Sequence, residues 1–259
     1  MSSSTFKSLT KLQGARVLVI GGTSGIGFAV AESCLEYGAT VIVAGSNQDR
    51  LDKTVSRLRT AVANNPSPLI LEPKDLSKLV LGKTCNLKDV PNVEANIQGL
   101  LAFATDSAAH QLDHVVFTAG DHLGLRPLSE ISTSFFHESD QAASSSYTLT
   151  GGINAWRPSP NFSVYASFGL QTEGLVHGLA VDMTPVRVNC VRPGAIVTEL
   201  WDGFGDAKEG MKEMYKKRTL TGTVGKPEEC AESYLHMMKN SFATGTVVTC
   251  DGGQMIKAA

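Results

Sequence analysis

Short apolar runs rich in β-branched residues alternate along the chain with longer amphipathic stretches. The short runs predict seven strands, at residues 16–20, 40–44, 80–85, 114–118, 146–150, 186–191 and 245–250. The longer stretches predict helices at residues 25–38, 48–63, 90–107, 162–183, 206–218 and 226–239. This alternation is typical of a parallel sheet that helices cover on both faces. The sequence therefore predicts an α/β fold with a doubly wound parallel sheet of about seven strands in a single domain.

Breaks in this pattern mark the ends and loops of the domain. The first residues are polar and predict a flexible arm over residues 1–14, ahead of a domain that covers residues 15–259. Three prolines make residues 64–78 a predicted loop. Residues 206–218 follow a Pro-Gly turn and precede the last helix, a position that suits a mobile lid near residues 200–218. A plain surface helix fits the same pattern.

Composition excludes several classes of protein. The chain has 259 residues, of which 42% are hydrophobic, and a net charge of −2, so it is not predicted to bind nucleic acid or a membrane surface. Its five cysteines are dispersed, as in a reduced compartment, and the apolar run at residues 17–20 is too short for a signal peptide or a membrane span. The six histidines lack ligand spacing, so no metal site is predicted. We expect a cytoplasmic protein that acts on a small molecule.

A glycine-rich turn follows the first predicted strand and opens the first predicted helix. Gly21, Gly25 and Gly27 allow a sharp turn there and let a pyrophosphate approach backbone N–H groups, which a Cβ would obstruct. The position of the turn between strand and helix favours a Rossmann-type dinucleotide site over a glycine-rich turn without ligand.

The end of the second predicted strand separates the two nicotinamide cofactors. An NAD site usually carries an acid there for the ribose 2′-OH, but this strand continues as Gly-Ser-Asn-Gln-Asp-Arg from residue 45. Ser46 and Asn47 can donate to a 2′-phosphate, and Arg50 can add positive charge. The alternative interpretation is a plain helix cap formed by Asp49. The absence of the acid favours NADP(H).

Four motifs, spread over nearly the whole length, resemble the short-chain dehydrogenase/reductase (SDR) family. They are GGTSGIG at residues 21–27, TAG at 118–120 where the family has NAG, VNCVRPG at 188–194 and DGG at 251–253. The resemblance places Asn86 beside the adenine, where an Asp is usual, and it implies a dimer or tetramer. The cofactor residues that it implies, beyond the three at the 2′-phosphate, are Gly21, Thr23, Ser24, Gly25, Ile26, Gly27, Asn86, Leu87, Ala119, Gly120, Pro193, Gly194, Ile196 and Thr198.

The catalytic positions differ from the family pattern. The family uses a Tyr-x-x-x-Lys pair on one helix and a Ser on the preceding strand, and the resemblance puts Tyr165 in the tyrosine place and Gly169 in the lysine place. The serine place falls at or beside Gly152, with Thr150 the nearest hydroxyl. A tyrosine with no cation beside it is a poor acid–base catalyst at neutral pH. Tyr165 and Thr150 are the catalytic candidates, and a packing role for Tyr165 fits equally.

Three further segments are similar to an atypical fungal branch of the family. They are VVFTAGD at residues 115–121, YTLTGG at 147–152 and WRPSPNF at 156–162. The branch includes NADPH-dependent reductases of indole-alkaloid biosynthesis, some of which also guide a Diels–Alder cyclisation. Ser159 stands where those place an acid between two prolines, and the crossover at residues 121–145 is shorter than in the family.

Reduction of an imine or iminium fits a site without the lysine. Hydride addition to an iminium gives a neutral amine and needs no proton donor, so positioning alone can act, a contribution of ~7–11 kcal/mol at best. The sequence therefore predicts an NADP(H)-dependent SDR-type reductase of an imine, an iminium or another activated small metabolite in secondary metabolism. The alternatives are a cofactor-binding pseudoenzyme or non-redox cyclase/isomerase, and a truncated product without function. Further candidates for substrate contact are Asp121, His122, Arg126, Trp201 and Phe204.

Overall fold

The computed structural model of the protein describes residues 8–70, 75–120, 144–159 and 162–258. Seven strands form one parallel sheet in the order β3-β2-β1-β4-β5-β6-β7. All seven predicted strands are confirmed, with ends that differ from the prediction by at most two residues. The strands are β1 (Arg16–Ile20), β2 (Thr40–Gly45), β3 (Val80–Thr84), β4 (His114–Phe117), β5 (Ser146–Thr150), β6 (Arg187–Pro193) and β7 (Val247–Cys250).

In the described part of the chain, helices lie between the strands, as the amphipathic stretches predict. They are α1 (Gly25–Glu36), α2 (Gln48–Asn64), α3 (Leu76–Leu79), α4 (Val93–Ala104), α5 (Ser163–Asp182), α6 (Lys208–Arg218) and α7 (Pro227–Lys239). The described residues also form 3₁₀ segments at Val90–Asn92, Ile153–Ala155 and Glu199–Ala207. The predicted loop over residues 64–78 is wrong at its end, because the Asp75 carboxylate accepts a hydrogen bond from Ser77 N and starts the short helix α3.

Two apolar cores lie on opposite faces of the sheet. In β2, Val41 and Val43 join the core formed with α1, α2 and α7, whereas Ile42 and Ala44 join the core formed with α4 and α5. Burial on both faces explains why β2 reads as an unbroken apolar run.

The strand order reverses between β1 and β4. The carboxyl ends of these neighbouring strands lie at the point of reversal, which is where doubly wound sheets bind ligands. The glycine-rich turn follows β1 there, and residues 118–120 follow β4. The topology therefore brings two of the predicted cofactor motifs to one edge.

The predicted flexible arm is wrong for residues 8–14, whereas residues 1–7 lie outside the described part. Leu12 is fully buried in the core, and the Gln13 side-chain nitrogen donates to Leu69 O at 2.7 Å. Gly14 N donates to Gly38 O at 2.9 Å. One apolar side chain in a polar segment is thus enough to attach the segment to the domain.

Buried polar side chains in the described residues serve the core. His114 is buried with Nδ1 2.9 Å from Ser146 Oγ, and burial lowers its pKa to about 3, so its ring is neutral near pH 7. Among the described residues no group of three His, Cys, Asp or Glu side chains could hold a metal ion. No helix in the same ranges is long and apolar enough to cross a bilayer.

Candidate cofactor and active site

Two glycines of the glycine-rich turn are packed so closely that neither position has room for a side chain. Gly21 has φ +89°, and a Cβ there would lie 2.6 Å from Ala119 Cα. A Cβ at Gly27 would lie 2.9 Å from Gly21 C and would also strike Thr118 Oγ1. These contacts hold β1, the turn and the residues after β4 together, and they fix the direction of the first turn of α1 toward the crevice.

The first turn of α1 lacks the usual partners for its backbone N–H groups. Ser24 is the N-cap residue but makes no capping hydrogen bond with its side chain, and the turn holds no acidic residue. N–H groups in such a turn have no partner within the helix and can bind an anion. The arrangement fits a dinucleotide pyrophosphate.

Two predicted cofactor residues from distant parts of the sequence meet at this turn. Thr198 Cβ lies 3.1 Å from the position that a Cβ on Gly25 would take. In addition, Gly25 N donates to the Glu199 carboxylate at 2.8 Å. The loop that follows β6 therefore closes over the start of α1.

The predicted 2′-phosphate residues lie at the tip of β2, beside the glycine-rich turn. Ser46, Asn47 and Arg50 are exposed. The run does cap α2, but through Asn47, whose side-chain oxygen accepts from Arg50 N at 2.9 Å, and the assignment of the cap to Asp49 is wrong. The Asn47 amide nitrogen remains a donor type suited to phosphate.

The other predicted cofactor residues lie at the same carboxyl edge. Asn86 and Leu87 follow β3, Ala119 and Gly120 follow β4, and Pro193 ends β6. Gly194 and Ile196 follow Pro193, and contacts with the backbone of other segments hold both. A Cβ at Gly194 would meet Asp251 Cα at 2.7 Å, and Ile196 pairs with Gly225 in an isolated parallel bridge.

Thr150 and Tyr165 belong to opposite faces of the sheet. The Thr150 hydroxyl is 2.7 Å from Phe117 O and 2.7 Å from the hydroxyl of Tyr234, which is fully buried on α7. Tyr165 lies half-buried on α5, with its ring centroid 5.2 Å from that of Phe162. A catalytic role for Thr150 beside Tyr165 would require these two hydrogen bonds to break.

The lysine place has no room for a side chain. A Cβ at Gly169 would lie 2.6 Å from the Cβ of Ala155, in the 3₁₀ segment after β5. Helix α5 therefore packs directly on the backbone of this segment, and the glycine is a packing requirement of the site as it stands.

A buried ion pair between Glu173 and Arg192 holds the residues that follow this 3₁₀ segment. Glu173 on α5 accepts from Arg192 Nε at 2.6 Å and from its Nη2 at 2.7 Å, and Trp156 Nε1 donates to the same carboxylate at 2.9 Å. Arg157 adds hydrogen bonds of 2.6 Å to the carbonyls of Gln254 and Lys257. The loop after β5 is thus tied to α5, β6 and the C-terminal turn.

The predicted lid region forms the 3₁₀ segment Glu199–Ala207 followed by α6. Trp201 is buried, with ring centroids 5.6 Å from Tyr215 and 6.1 Å from Phe204. Arg218 at the end of α6 reaches Ser159 Oγ at 3.4 Å. The lid region therefore spans from the start of α1 to the Pro-Ser-Pro loop, and its mobility stays a prediction.

Several residues at the site were missed by the sequence analysis. Thr54 on α2 is buried and donates to Thr23 O at 3.0 Å, which supports the glycine-rich turn. Tyr234, Glu199 and the Glu173–Arg192 pair were also missed. Their signal is weak, because each contact joins segments far apart in sequence. The candidates Asp121, His122 and Arg126, and the shortened crossover, lie largely or wholly outside the described residues.

Comparison with known proteins decides the family. The SDR-like Rossmann domain matches the chain over residues 8–143 and again over residues 138–257. The chain belongs to the SDR family. It is 38% identical to the short-chain dehydrogenase/reductase malC of Malbranchea aurantiaca, over 98% of this chain and 99% of that protein. It is 34% identical to fsr5 of Gibberella fujikuroi, over 96% and 98% of the two chains.

Solved structures give the same fold. The MalC reductase/Diels–Alderase of Malbranchea aurantiaca superposes with a TM-score of 0.82 at 36% identity, over 98% of this chain and 100% of the other. An NADPH-bound short-chain oxidoreductase of Pseudomonas aeruginosa with an atypical catalytic centre has a TM-score of 0.74 at 20% identity, over 95% and 100%. At that identity the likeness concerns the fold alone.

The malC alignment also bears on length. The alignment extends over 274 positions, more than the 259 residues of this chain. Some residues of malC therefore have no counterpart in this chain. The two pieces of the family match overlap at residues 138–143, inside the stretch that was predicted to be shortened.

Proposed function

We propose that this SDR protein is an NADP(H)-dependent reductase of an imine, an iminium or another activated group in a small metabolite. One observation carries the proposal: the glycine-rich turn is intact, whereas Gly169 in the lysine place is packed against Ala155. A chain that keeps the cofactor turn without that lysine suits a substrate that needs no proton from a tyrosine–lysine pair.

The residues present fit the cofactor. Backbone N–H groups in the first turn of α1 would hold the pyrophosphate, because that turn has neither a side-chain cap at Ser24 nor an acidic residue of its own. Ser46, Asn47 and Arg50 would hold the 2′-phosphate, and the loop that ends at Thr198 would border the nicotinamide. The reduced nicotinamide, when bound, supplies the hydride.

The chain's own contribution is to position the substrate and to exclude water. The loop after β5 and the lid region approach each other at Ser159 and Arg218, and each carries an exposed aromatic side chain, Trp156 and Phe204. Aromatic walls suit a flat, partly cationic substrate. Removing a lysine from such a site removes a charge that would repel an iminium ion.

The setting of the reaction is proposed by analogy with the relatives. The similar MalC protein is described as a reductase/Diels–Alderase, and further relatives are fungal SDR proteins. We propose by analogy a role in secondary metabolism, with alkaloid precursors as the substrate class, in the cytoplasm. We further propose a homodimer or homotetramer.

Transfer of deuterium tests the reaction. With NADPH deuterated at C4, purified protein is expected to deliver deuterium to a cyclic iminium ion and to turn over ordinary ketones far more slowly. Tyr165→Phe is expected to leave iminium reduction nearly unchanged. Equal rates on ketones and iminium ions, or a loss of iminium reduction in Tyr165→Phe, would contradict the proposal.

A non-redox cyclase, isomerase or cofactor-binding pseudoenzyme is the second candidate. The observation in its favour is that the Thr150 hydroxyl is engaged by Phe117 O and Tyr234, which leaves the site without the family's hydroxyl. Tight NADPH binding with no deuterium transfer to any imine, iminium or ketone would favour this candidate over the reductase.

Arg50→Ala tests the cofactor preference. We expect the Kd for NADPH to rise about tenfold and the Kd for NADH to stay the same, because only NADPH carries the phosphate that a charge-assisted hydrogen bond from Arg50 would hold. Lys78→Ala is the matched control. It removes one positive charge from α3, which lies before the amino end of β3, whereas Arg50 lies beyond the carboxyl end of β2. Calorimetric titration measures both constants. Equal changes for the two cofactors would contradict the preference.

A further inference from the structure

A carboxylate occupies the start of α1 in the structure. Glu199 Oε2 accepts the hydrogen bond from Gly25 N at 2.8 Å, although the two residues are 174 positions apart. The contact is exposed rather than buried in the core. Glu199 therefore supplies the anion that the first turn of α1 lacks in its own sequence.

The backbone around Glu199 holds the carboxylate in this place. Thr198 caps the 3₁₀ segment, with its hydroxyl accepting from Leu200 N at 3.3 Å. Its side chain also packs on Gly25, with Cβ 3.1 Å from where a Cβ on Gly25 would lie. Glu199 is thus the first residue of the lid region and lies directly over the helix end.

A pyrophosphate held by the first turn of α1 and this carboxylate would compete for the same small set of N–H groups. Both are anions, and the first turn of one helix offers few N–H donors. Their charges would also repel each other across a few ångströms. Glu199 must therefore leave Gly25 N when a dinucleotide binds.

We propose that Glu199 is a latch that takes the place of the pyrophosphate at the start of α1 and couples cofactor binding to release of the lid region. The proposal rests on the proposed cofactor site. It makes Glu199 a competitor of NADP(H) in the same chain. Because such coupling is reciprocal, a change that weakens the latch must tighten cofactor binding by the same factor.

Replacing the carboxylate tests the competition. Glu199→Gln and Glu199→Ala are expected to lower the Kd for NADP⁺ about two- to fivefold, as befits a charge at an exposed helix N-terminus. Glu209→Gln is the control, because Glu209 lies on α6 in the same region and bonds Lys212 instead. It removes the same charge, and its Kd is expected to equal that of the wild type.

Thermal unfolding separates a latch from a general structural role. The Glu199 variants are expected to melt at a lower temperature than wild type without cofactor, and at the same temperature with saturating NADP⁺. A structural role would lower both melting temperatures and leave the Kd unchanged. An increase in Kd would show that Glu199 helps to hold the cofactor. Either of these results overturns the latch.

Hydrogen exchange reports on the lid region directly. In the wild type, NADP⁺ is expected to increase deuterium uptake at residues 199–207, and Glu199→Ala is expected to show that higher uptake without cofactor. Unchanged uptake in both cases overturns the coupling. If the wild type and all variants fail to bind NADP⁺ or NADPH, the proposed function itself fails. Binding by the wild type with equal Kd in Glu199→Gln and Glu209→Gln defeats the latch alone.

Discussion

Arg192→Ala is expected to lower the free energy of unfolding by about 3–5 kcal/mol. The Glu173 residue is only 6% exposed, and the Arg192 side chain is 12% exposed. Two short hydrogen bonds join their planar groups, so the truncation would leave a buried carboxylate whose one remaining partner among the described residues is the Trp156 N–H. An uncompensated buried charge is among the most destabilising changes in a protein core.

Chemical denaturation measures this cost. Lys212→Ala is the control, because it breaks an ion pair with the exposed Glu209, and such solvent-screened pairs contribute little to stability. The double variant Glu173→Leu/Arg192→Met, which removes both charges and keeps apolar volume, is expected to recover most of the stability. A loss below about 1 kcal/mol in Arg192→Ala would show that the pair is solvated.

The same pair links stability to the site. It anchors Trp156, and with it the loop after β5, to α5 and β6. That loop approaches the lid region at Ser159. A protein that loses the pair should therefore lose the fixed position of this loop before the sheet itself unfolds, because loops with few buried contacts open first.

The strands could be predicted because burial on both faces leaves a direct trace in sequence. Ile42 and Val43 point to different cores, yet both must be apolar, so the run stands out against its polar flanks. The glycine-rich turn could be predicted for a similar reason, since only glycine fits beside Ala119 Cα. Both features can be recognised from a short stretch of consecutive residues.

The parts that failed depend on contacts between distant segments. Leu12 is one apolar residue among polar ones, and only the structure shows that it is buried. Glu199 reaches Gly25 because the loop after β6 folds back over α1, which no local pattern records. The side-chain direction of Thr150, in contrast, could have been predicted. Strand alternation puts Thr150 on the other face of β5 from Tyr147 and Leu149, which is the face that α7 covers.

Gly169→Lys is expected to destabilise the protein by about 1–3 kcal/mol, although lysine is the family's residue at this place. A Cβ at Gly169 would lie 2.6 Å from Ala155 Cβ, so α5 or the 3₁₀ segment must move. The better helix propensity of lysine offsets at most about 1 kcal/mol of that cost. Restoring the lysine alone is therefore not expected to restore the family's catalytic arrangement.

Removal of the opposing methyl group tests this account. In Gly169→Lys/Ala155→Gly the nearest remaining contacts of the new Cβ are Ala155 Cα at 3.4 Å and N at 3.6 Å, which are ordinary distances, so most of the stability should return. Urea denaturation of both variants, with Ala155→Gly alone as the control, measures the coupling. Ketone reduction is still expected to be absent, because the serine place holds Gly152 and the Thr150 hydroxyl is bound to Tyr234. If Gly169→Lys were as stable as the wild type, the 3₁₀ segment or α5 would have to move at little cost. The absence of the lysine would then have a chemical rather than a steric cause.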